Sequence, residues 1–474
     1  PVVLPITCTP ADEGLRTAVI TLQTNDPLKS SVTYNLVCQG TPPPSPQLYP
    51  PGISYVNLQP GISNMDGAYD VATSPDGRHV YVTAYNSNRI VVFSRNPATG
   101  ELTQVVAVGN VALSQPRGIA VSPDGQQVYV AGSASDNFLV YNRDADTGLL
   151  TIDQIWTNGE GGFITGLDGP EGVAVSPDGR YIYVATTNGD SVVIFYRDND
   201  SFVGYEDTVT DAANLDGAQN LAVSPDGTNL YVTSFTNTTN GRVAAYQRNA
   251  QTGALTFQQL RFEGQLIGTC NPFCFFIDGL AGAFDILVSP DGRNVYTANL
   301  YDNTVARFTR NGDGTLNWGG TLRDGVNGAD GLGSVRGLAI SPDGLFIYAA
   351  GYTDQALAVL NRNPDTGTIS PRQVIFRNPG TGRPALNGAH SVAVSPDGSS
   401  VYTTAFLDDA VVLLHTANPF ATLTSLQPAS AQVGAPAFTL VVQGQEFVPG
   451  SVVRVNGADR PTTFVTANEV KADL

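Results

Sequence analysis

The stretch Ser74-Pro75-Asp76-Gly77 returns six more times along the chain, beginning at Ser122, Ser176, Ser224, Ser289, Ser341 and Ser395. Each copy sits between two short apolar runs, as Val173-Ala174-Val175 and Tyr183-Val184-Ala185 flank the third. Proline presets φ and glycine permits positive φ, so each copy reads as a tight turn joining two strands. Counted from the serine, a tyrosine follows seven residues on in every copy: Tyr81, Tyr129, Tyr183, Tyr231, Tyr296, Tyr348 and Tyr402. An arginine closes six of the copies (Arg95, Arg143, Arg197, Arg248, Arg310, Arg362), the fourth after an insertion around Asn237 to Gly241. With four apolar runs per copy and starts 48 to 65 residues apart, the seven units read as seven four-stranded propeller blades.

The seventh copy runs out of outer strand after Val411-Val412-Leu413-Leu414, and Ile53-Ser54-Tyr55-Val56-Asn57-Leu58 precedes the first. That early segment is expected to pair as the outermost strand of the last blade, closing the ring and removing an edge. The expected fold is all-β: a seven-bladed β-propeller of four-stranded blades over residues 48–419, with partial immunoglobulin-like β-sandwich domains at both ends. Residues 1–41 hold three alternating apolar runs, residues 42–47 form a proline-rich spacer, and residues 420–474 start a second sandwich pattern.

Composition narrows the function classes. The net charge is −18, and Lys29 and Lys471 are the sole lysines, so there is no basic stripe for nucleic acid or an anionic membrane. No apolar run reaches membrane-spanning length. The chain starts at Pro1 without an initiator methionine and reads as part of a longer polypeptide. Four cysteines fall into two plausible disulfides, Cys8 with Cys38 and Cys270 with Cys274, which points to an extracellular, cell-surface or periplasmic location. For the second pair a Cys-x3-Cys metal clip is the alternative, although no histidine stands nearby to complete it.

The repeat residues Tyr81-Val82-Thr83-Ala84-Tyr85-Asn86 and Val91-Val92-Phe93, with the Ser-Pro-Asp-Gly turns, resemble the YVTN-type propellers of the lactonase-like superfamily. Ile6-Thr7-Cys8-Thr9-Pro10, Leu22 to Pro27 and Tyr34 to Cys38 resemble the Hydin or choice-of-anchor D kind of immunoglobulin-like domain. Leu423 to Pro428, Phe438 to Val442 and Gly444 to Gly450 resemble an IPT/TIG domain. The propeller resemblance implies a lactone hydrolase. Related lactonases often carry Arg-Gly-His between the second and third strands, where this chain has Asn86-Ser87-Asn88, Ser135-Asp136-Asn137, Asn188-Gly189-Asp190 and Asp408-Asp409.

In a blade, the loops entering the innermost strand and those joining second to third strands share one face, where propellers usually bind ligands. Aligned there, the repeats place Tyr69, Arg117, Glu171, Gln219, Phe284, Arg336 and His390 around the channel mouth as candidate ligand-binding residues. The next ring inward is Asp70, Gly118, Gly172, Asn220, Asp285, Gly337 and Ser391. The candidate catalytic set is Glu171 or His390 as base for water, with Arg117 and Arg336 as cationic donors to a carboxylate and an oxyanion. The competing expectation is a salt-bridged collar with His390 as a satisfied polar residue, and His79 and His415 as structural residues. Asp302-Asn303 and Asp408-Asp409 are assigned to turn chemistry rather than calcium, with no cofactor or metal expected. The long loop from Phe257 to Phe284, with Phe273 to Phe276, is expected to pack over the mouth as a lid or to offer a partner an anchor.

The favoured function at this level is a surface or extracellular module that binds an unknown protein, glycan or small anionic ligand, strung between sandwich spacers. A lactonase acting on a small anionic lactone is the alternative, and a filament-building role is the third.

Overall fold

The computed structural model describes residues 14–26, 29–40, 49–97, 99–237, 239–268, 274–377, 385–416, 422–428, 438–445, 453–455, 458–466 and 469–473. Contacts divide the chain into a unit of Leu48–His415 and a second of Pro1–Gln47 with Thr416–Leu474.

The larger unit is built from seven four-stranded antiparallel sheets. The inner strands are Ala68–Thr73, Pro116–Val121, Pro170–Val175, Ala218–Val223, Ala283–Val288, Val335–Ile340 and Ala389–Val394. Blades 1 to 6 are continuous in sequence. Blade 7 takes its fourth strand from Tyr49–Val56, which pairs antiparallel with Ala410–His415. The closing strand thus begins earlier than Ile53 and ends before Leu58. Its Tyr55 is buried, its ring 6.1 Å from Phe93 of blade 1, and its hydroxyl accepts the backbone N–H of Leu102 at 2.7 Å. Closure therefore seals the last blade against the first as well as completing it.

The second strand of every blade is buried at all six positions, as in His79–Ala84 and Phe346–Gly351. A sheet sandwiched between two others has no solvent face, which explains the unbroken apolar runs.

The Ser-Pro-Asp-Gly turn does two jobs. In blade 1 Ser74 Oγ donates to Asp76 Oδ1 and accepts the N–H of His79, while the N–H of Gly77 reaches back to the carbonyl of Ser74 at 2.9 Å. Gly77 has φ +68°, which a side chain would strain. The other carboxylate oxygen, Asp76 Oδ2, accepts from Arg143 of blade 2 at 2.7 Å, and Arg143 Nε donates to the Tyr81 hydroxyl at 2.7 Å. The same side chain donates to the carbonyl of Gly125 and to His79 Nδ1, and is 1% exposed. The aspartate, the tyrosine seven residues from the serine and the arginine of the next copy are therefore one clasp between blades. Arg95, Arg248, Arg310 and Arg362 repeat it on Tyr402, Tyr183, Tyr231 and Tyr296. Arg197 instead grips Gln127, which receives the Tyr129 hydroxyl.

The seam between blades 6 and 7 differs. The seventh copy has Thr416 where the others have arginine, and the buried Tyr348 hydroxyl has no hydrogen-bond partner among the described residues.

A second clasp lies on the opposite face. Asn88, Asp136, Asp190, Asn303 and Asp409 all have positive φ, and their side chains accept backbone N–H groups of the following blade at Gln115, Gly169, Gly217, Ser334 and Gly67. These contacts give the Asp and Asn of those loops a role between blades.

Acid should loosen the first clasp. Asp76 and Asp397, held by serine hydroxyl, backbone N–H and arginine against the opposing effect of burial, are lowered to about 2. Their unfolded value is about 4, so their contribution is complete above that pH and is lost as pH falls through about 2. Melting temperature should therefore hold above pH ~4.5 and fall between ~4 and ~2, with a shallower fall in Asp76→Asn. A melting temperature unchanged down to pH ~2 contradicts this.

In the second unit, Gly14–Asp26 and Lys29–Gly40 form an antiparallel hairpin. Thr422–Gln427, Thr439–Gln445, Glu469–Asp473 and Thr462–Thr466 form a sheet in that order around buried Leu440, Val442 and Val470. The expected run at Val2 to Ile6 and the spacer at 42–47 lie outside the described residues, as do Cys8, Cys270 and the side chain of Cys38. Among the described residues no cysteine is free.

Candidate functional site

The seven candidate residues all occupy the second position of an inner strand, so the sheet backbone fixes their height in the channel. Threonine hydroxyls of the preceding blade hold the carbonyls of three: Thr83 holds Arg117, Thr233 holds Phe284 and Thr404 holds Tyr69. Close packing of the inner strands does the rest. A Cβ at Gly118 would run into the carbonyl oxygen of Glu171, and one at Gly337 would lie 2.5 Å from that of His390. The glycines of the second ring are thus there for the approach of neighbouring strands, a role the sequence left without explanation.

His390 is the hub of the mouth. It is 3% exposed, and its ring centroid lies 4.0 Å from Tyr69 of blade 1 and 5.6 Å from Phe284 of blade 5. Nδ1 is 3.1 Å from the carbonyl of Tyr69, so Nδ1 carries the hydrogen, while Nε2 is buried without a partner. Burial, then the nearby Arg336 and Arg117, hold its pKa well below the ordinary value, so the imidazole is neutral and Nε2 offers a lone pair.

The two arginines stand on either side of this histidine and differ in state. Arg117 Nη1 pairs with Glu171 Oε1, Glu171 being 6% exposed, and its guanidinium lies 5.6 Å from the Tyr69 ring and 5.4 Å from Tyr85. Arg336 lies 3.8 Å from the Tyr352 ring and 5.9 Å from Phe284, and no carboxylate pairs with it among the described residues. Its Nε is buried without a hydrogen-bond partner. Burial lowers its pKa, with Arg117 adding to the effect and Tyr69, Tyr352 and Tyr301 opposing it. A guanidinium remains charged under such a shift. The expected collar is therefore half present: Arg117 and Glu171 are paired, Arg336 is not, and His390 is satisfied at one nitrogen alone.

Gln219 turns away, donating to the carbonyl of Gly217 at 3.2 Å. Below the mouth sit Asp70 and Asp285. Asp70 accepts from Ser391 and from the N–H groups of Val71 and Ile119, and burial raises its pKa. Asp285 accepts from Asn220, Ile286 and Leu338, and burial pushes it up to about 7.

Sequence reasoning missed an arc of aromatics. The residue eleven positions after each turn serine is Tyr85, Ser133, Thr187, Phe235, Leu300, Tyr352 or Phe406. Tyr85, Phe406 and Tyr352 all flank the ring around His390. The repeat alignment held that signal.

Of the loop expected to cap the mouth or to anchor a partner, residues 269–273 lie outside the described residues. Leu266–Ile267 and Phe275–Phe276 form a short hairpin whose phenylalanines are 69% and 53% exposed, while Ile277 is buried between blades 4 and 5 beside Tyr231 and Val295. Ile277 anchors the loop at the seam, and the neighbouring Phe275 and Phe276 are exposed. Phe273 lies outside the described residues. Two acidic groups, Glu263 with Asp278 and Asp302, and Asp324 with Asp330 and Asp354, are close enough to hold a cation. Arg323 pairs with both aspartates of the first, and backbone N–H groups occupy carboxylate oxygens in both.

Among solved structures, this chain is similar to a putative 6-phosphogluconolactonase from Bacteroides uniformis, at 22% identity and TM-score 0.53, over 76% of this chain and 96% of that one. A periplasmic gluconolactonase from Pseudomonas aeruginosa matches at 21% identity and TM-score 0.53, over 76% and 96%. Hydrazine synthase from Kuenenia stuttgartiensis matches at 18% identity and TM-score 0.55, over 77% and 99%, so similarity at this level speaks for the fold. No functionally curated protein gives a significant match. A family model described as lactonase, 7-bladed beta-propeller, matches residues 53–162, 154–271 and 263–383. Those matches cover most of the chain and span the first six blades, ending before the last inner strand and His390: the chain belongs to the lactonase family of seven-bladed β-propellers.

Proposed function

We propose that this protein hydrolyses a small anionic lactone at the channel mouth. The observation that carries the reading is the unpartnered Nε2 of a neutral, buried His390 between a paired and an unpaired guanidinium. Arg336 binds the substrate's anionic group. His390 Nε2 accepts a proton from water as the water oxygen attacks the lactone carbonyl carbon. The carbonyl π electrons move to oxygen, where Arg117, oriented by Glu171, stabilises the oxyanion. Collapse of the intermediate breaks the ring C–O bond, and His390 returns the proton to the leaving alkoxide, giving a hydroxy acid. Family membership favours this over a module that merely binds, which remains the second reading. An extracellular, surface or periplasmic location is part of the proposal and is supported by the acidic, lysine-poor composition. The sandwich identities of the ends and the two disulfides are likewise proposed.

The test is the pH dependence of lactone hydrolysis. A base already neutral in acid gives kcat/KM no limb near 6.5, and His390→Asn, which retains a group to donate to the Tyr69 carbonyl, lowers kcat by about 10²–10⁴-fold. Hydrolysis undiminished in His390→Asn would sink the assignment.

A further inference from the structure

The walls and charge of the mouth restrict the substrate further than its chemistry does. We propose that the ligand is a monoanionic carboxylate on a flat aromatic ring, its lactone fused to or borne by that ring, rather than a phosphorylated or polyhydroxylated sugar lactone. This rests on the lactonase reading for the reaction but on separate observations for the ligand.

The first observation is the wall. Tyr69, Phe284, Tyr352 and Phe406 all lie within 6.4 Å, centroid to centroid, of the His390 ring, and Tyr85 stacks 5.8 Å from Tyr69. At the position eleven residues after the turn serine, blades 2 and 3 carry Ser133 and Thr187 instead of aromatics. The arc therefore stops at blades 2 and 3, with Tyr69 and Tyr85, its last rings on that side, against Arg117. A flat ring laid against the arc stacks on rings, a geometry aromatic pairs prefer in offset or edge-to-face form.

The second is charge. Arg117 is neutralised by Glu171 and His390 is uncharged, which leaves Arg336 as the one unneutralised cation of the described mouth residues. A planar guanidinium matches a carboxylate in charge and in its two-pronged geometry. A phosphate monoester carries close to two charges near neutral pH and calls for more than one cation or a nest of N–H groups. Asp70 and Asp285 below the mouth oppose a second negative charge.

The third is the shortage of free side-chain polar groups for a polyol. Gln219 is turned to the Gly217 carbonyl, the Tyr85 hydroxyl is given to Gln115, and Thr83, Thr233 and Thr404 hold ring carbonyls. Beyond Arg117, Arg336 and His390, sugar hydroxyls brought into this mouth would find few partners for the water they lose, which costs affinity.

The experiment measures binding and turnover separately. Calorimetry with benzoate, gluconate and 6-phosphogluconate reads the ligand class. Hydrolysis of a dihydrocoumarin bearing a ring carboxylate, against glucono-δ-lactone and its 6-phosphate, reads the reaction. Benzoate is expected to bind at least about tenfold more tightly than either sugar acid, and the aryl lactone to be the preferred substrate. Tyr352→Leu should weaken benzoate by about five- to tenfold and Tyr352→Phe should restore it, because the stacking face and not the hydroxyl is at issue. Preference for a sugar lactone overturns this inference while hydrolysis itself stands. Benzoate binding with the same preference but no lactone cleaved supports the ligand class and overturns the hydrolase. Failure of benzoate to bind overturns the ligand class outright.

Discussion

Replacing Arg336 by methionine is expected to lower kcat/KM for an anionic lactone by about 10²-fold, ~3 kcal/mol, the worth of a charge-assisted hydrogen-bonded contact. The same change should leave the melting temperature equal to or above that of the wild type. Arg336 has a buried Nε without a partner and no carboxylate to offset its charge, so the folded protein bears its desolvation cost. A methionine keeps the length of the stem against Tyr352 and Phe284 and removes that cost. A residue kept at the expense of stability is the signature of a binding group. Thermal melts and steady-state rates on the two proteins check both halves. A variant that melts lower and turns over normally would return Arg336 to a structural role.

Arg143→Ala should do the opposite, destabilising the propeller by about 3 kcal/mol or more while the surviving folded molecules turn over normally. Four groups lose a partner at once: the Gly125 carbonyl, His79 Nδ1, Asp76 Oδ2 and the Tyr81 hydroxyl, which keeps only its donation to the Gly148 carbonyl. The Gly125 carbonyl and His79 Nδ1 are enclosed between blades, where an unmet polar group is costly. Chemical denaturation followed by tryptophan fluorescence measures the loss, and Arg143→Lys should recover part of it, since an ammonium reaches one acceptor of the set but lacks the fork. A midpoint within experimental error of wild type would show that the clasp contributes nothing to holding blades together. The seam between blades 6 and 7 supplies an internal comparison. It already lacks the arginine at Tyr348, so Tyr348→Phe should cost far less than Tyr81→Phe.

Much of the fold could be read from one tetrapeptide because its recurrence counts the blades and its neighbours alternate by strand. The closing strand could be read too, since a four-stranded blade with three local strands needs a donor. What the spacing concealed was partnership. Asp76, Tyr81 and Arg143 are each visible as repeat positions, yet their union is across a seam, which no within-repeat pattern displays. At the mouth, aligning the repeats found the ring but could not divide the charges. That Glu171 goes to Arg117 and leaves Arg336 alone depends on which blades adjoin and how their side chains turn. The loop around Cys274 was only partly legible for a related reason. Aromatic content left a lid and a partner anchor both open, and did not show that Ile277 is the residue the loop buries.

The account stands on turnover at this mouth, and proton release under pH-stat on adding a carboxylated aryl lactone tests it most directly. Saturable acid production by the wild-type propeller, lost in Arg336→Met and in His390→Asn while both variants stay folded, is the predicted result. Acid production no faster than buffer alone from both that lactone and glucono-δ-lactone, or equally fast in both variants, would contradict a lactonase site built on His390 and Arg336.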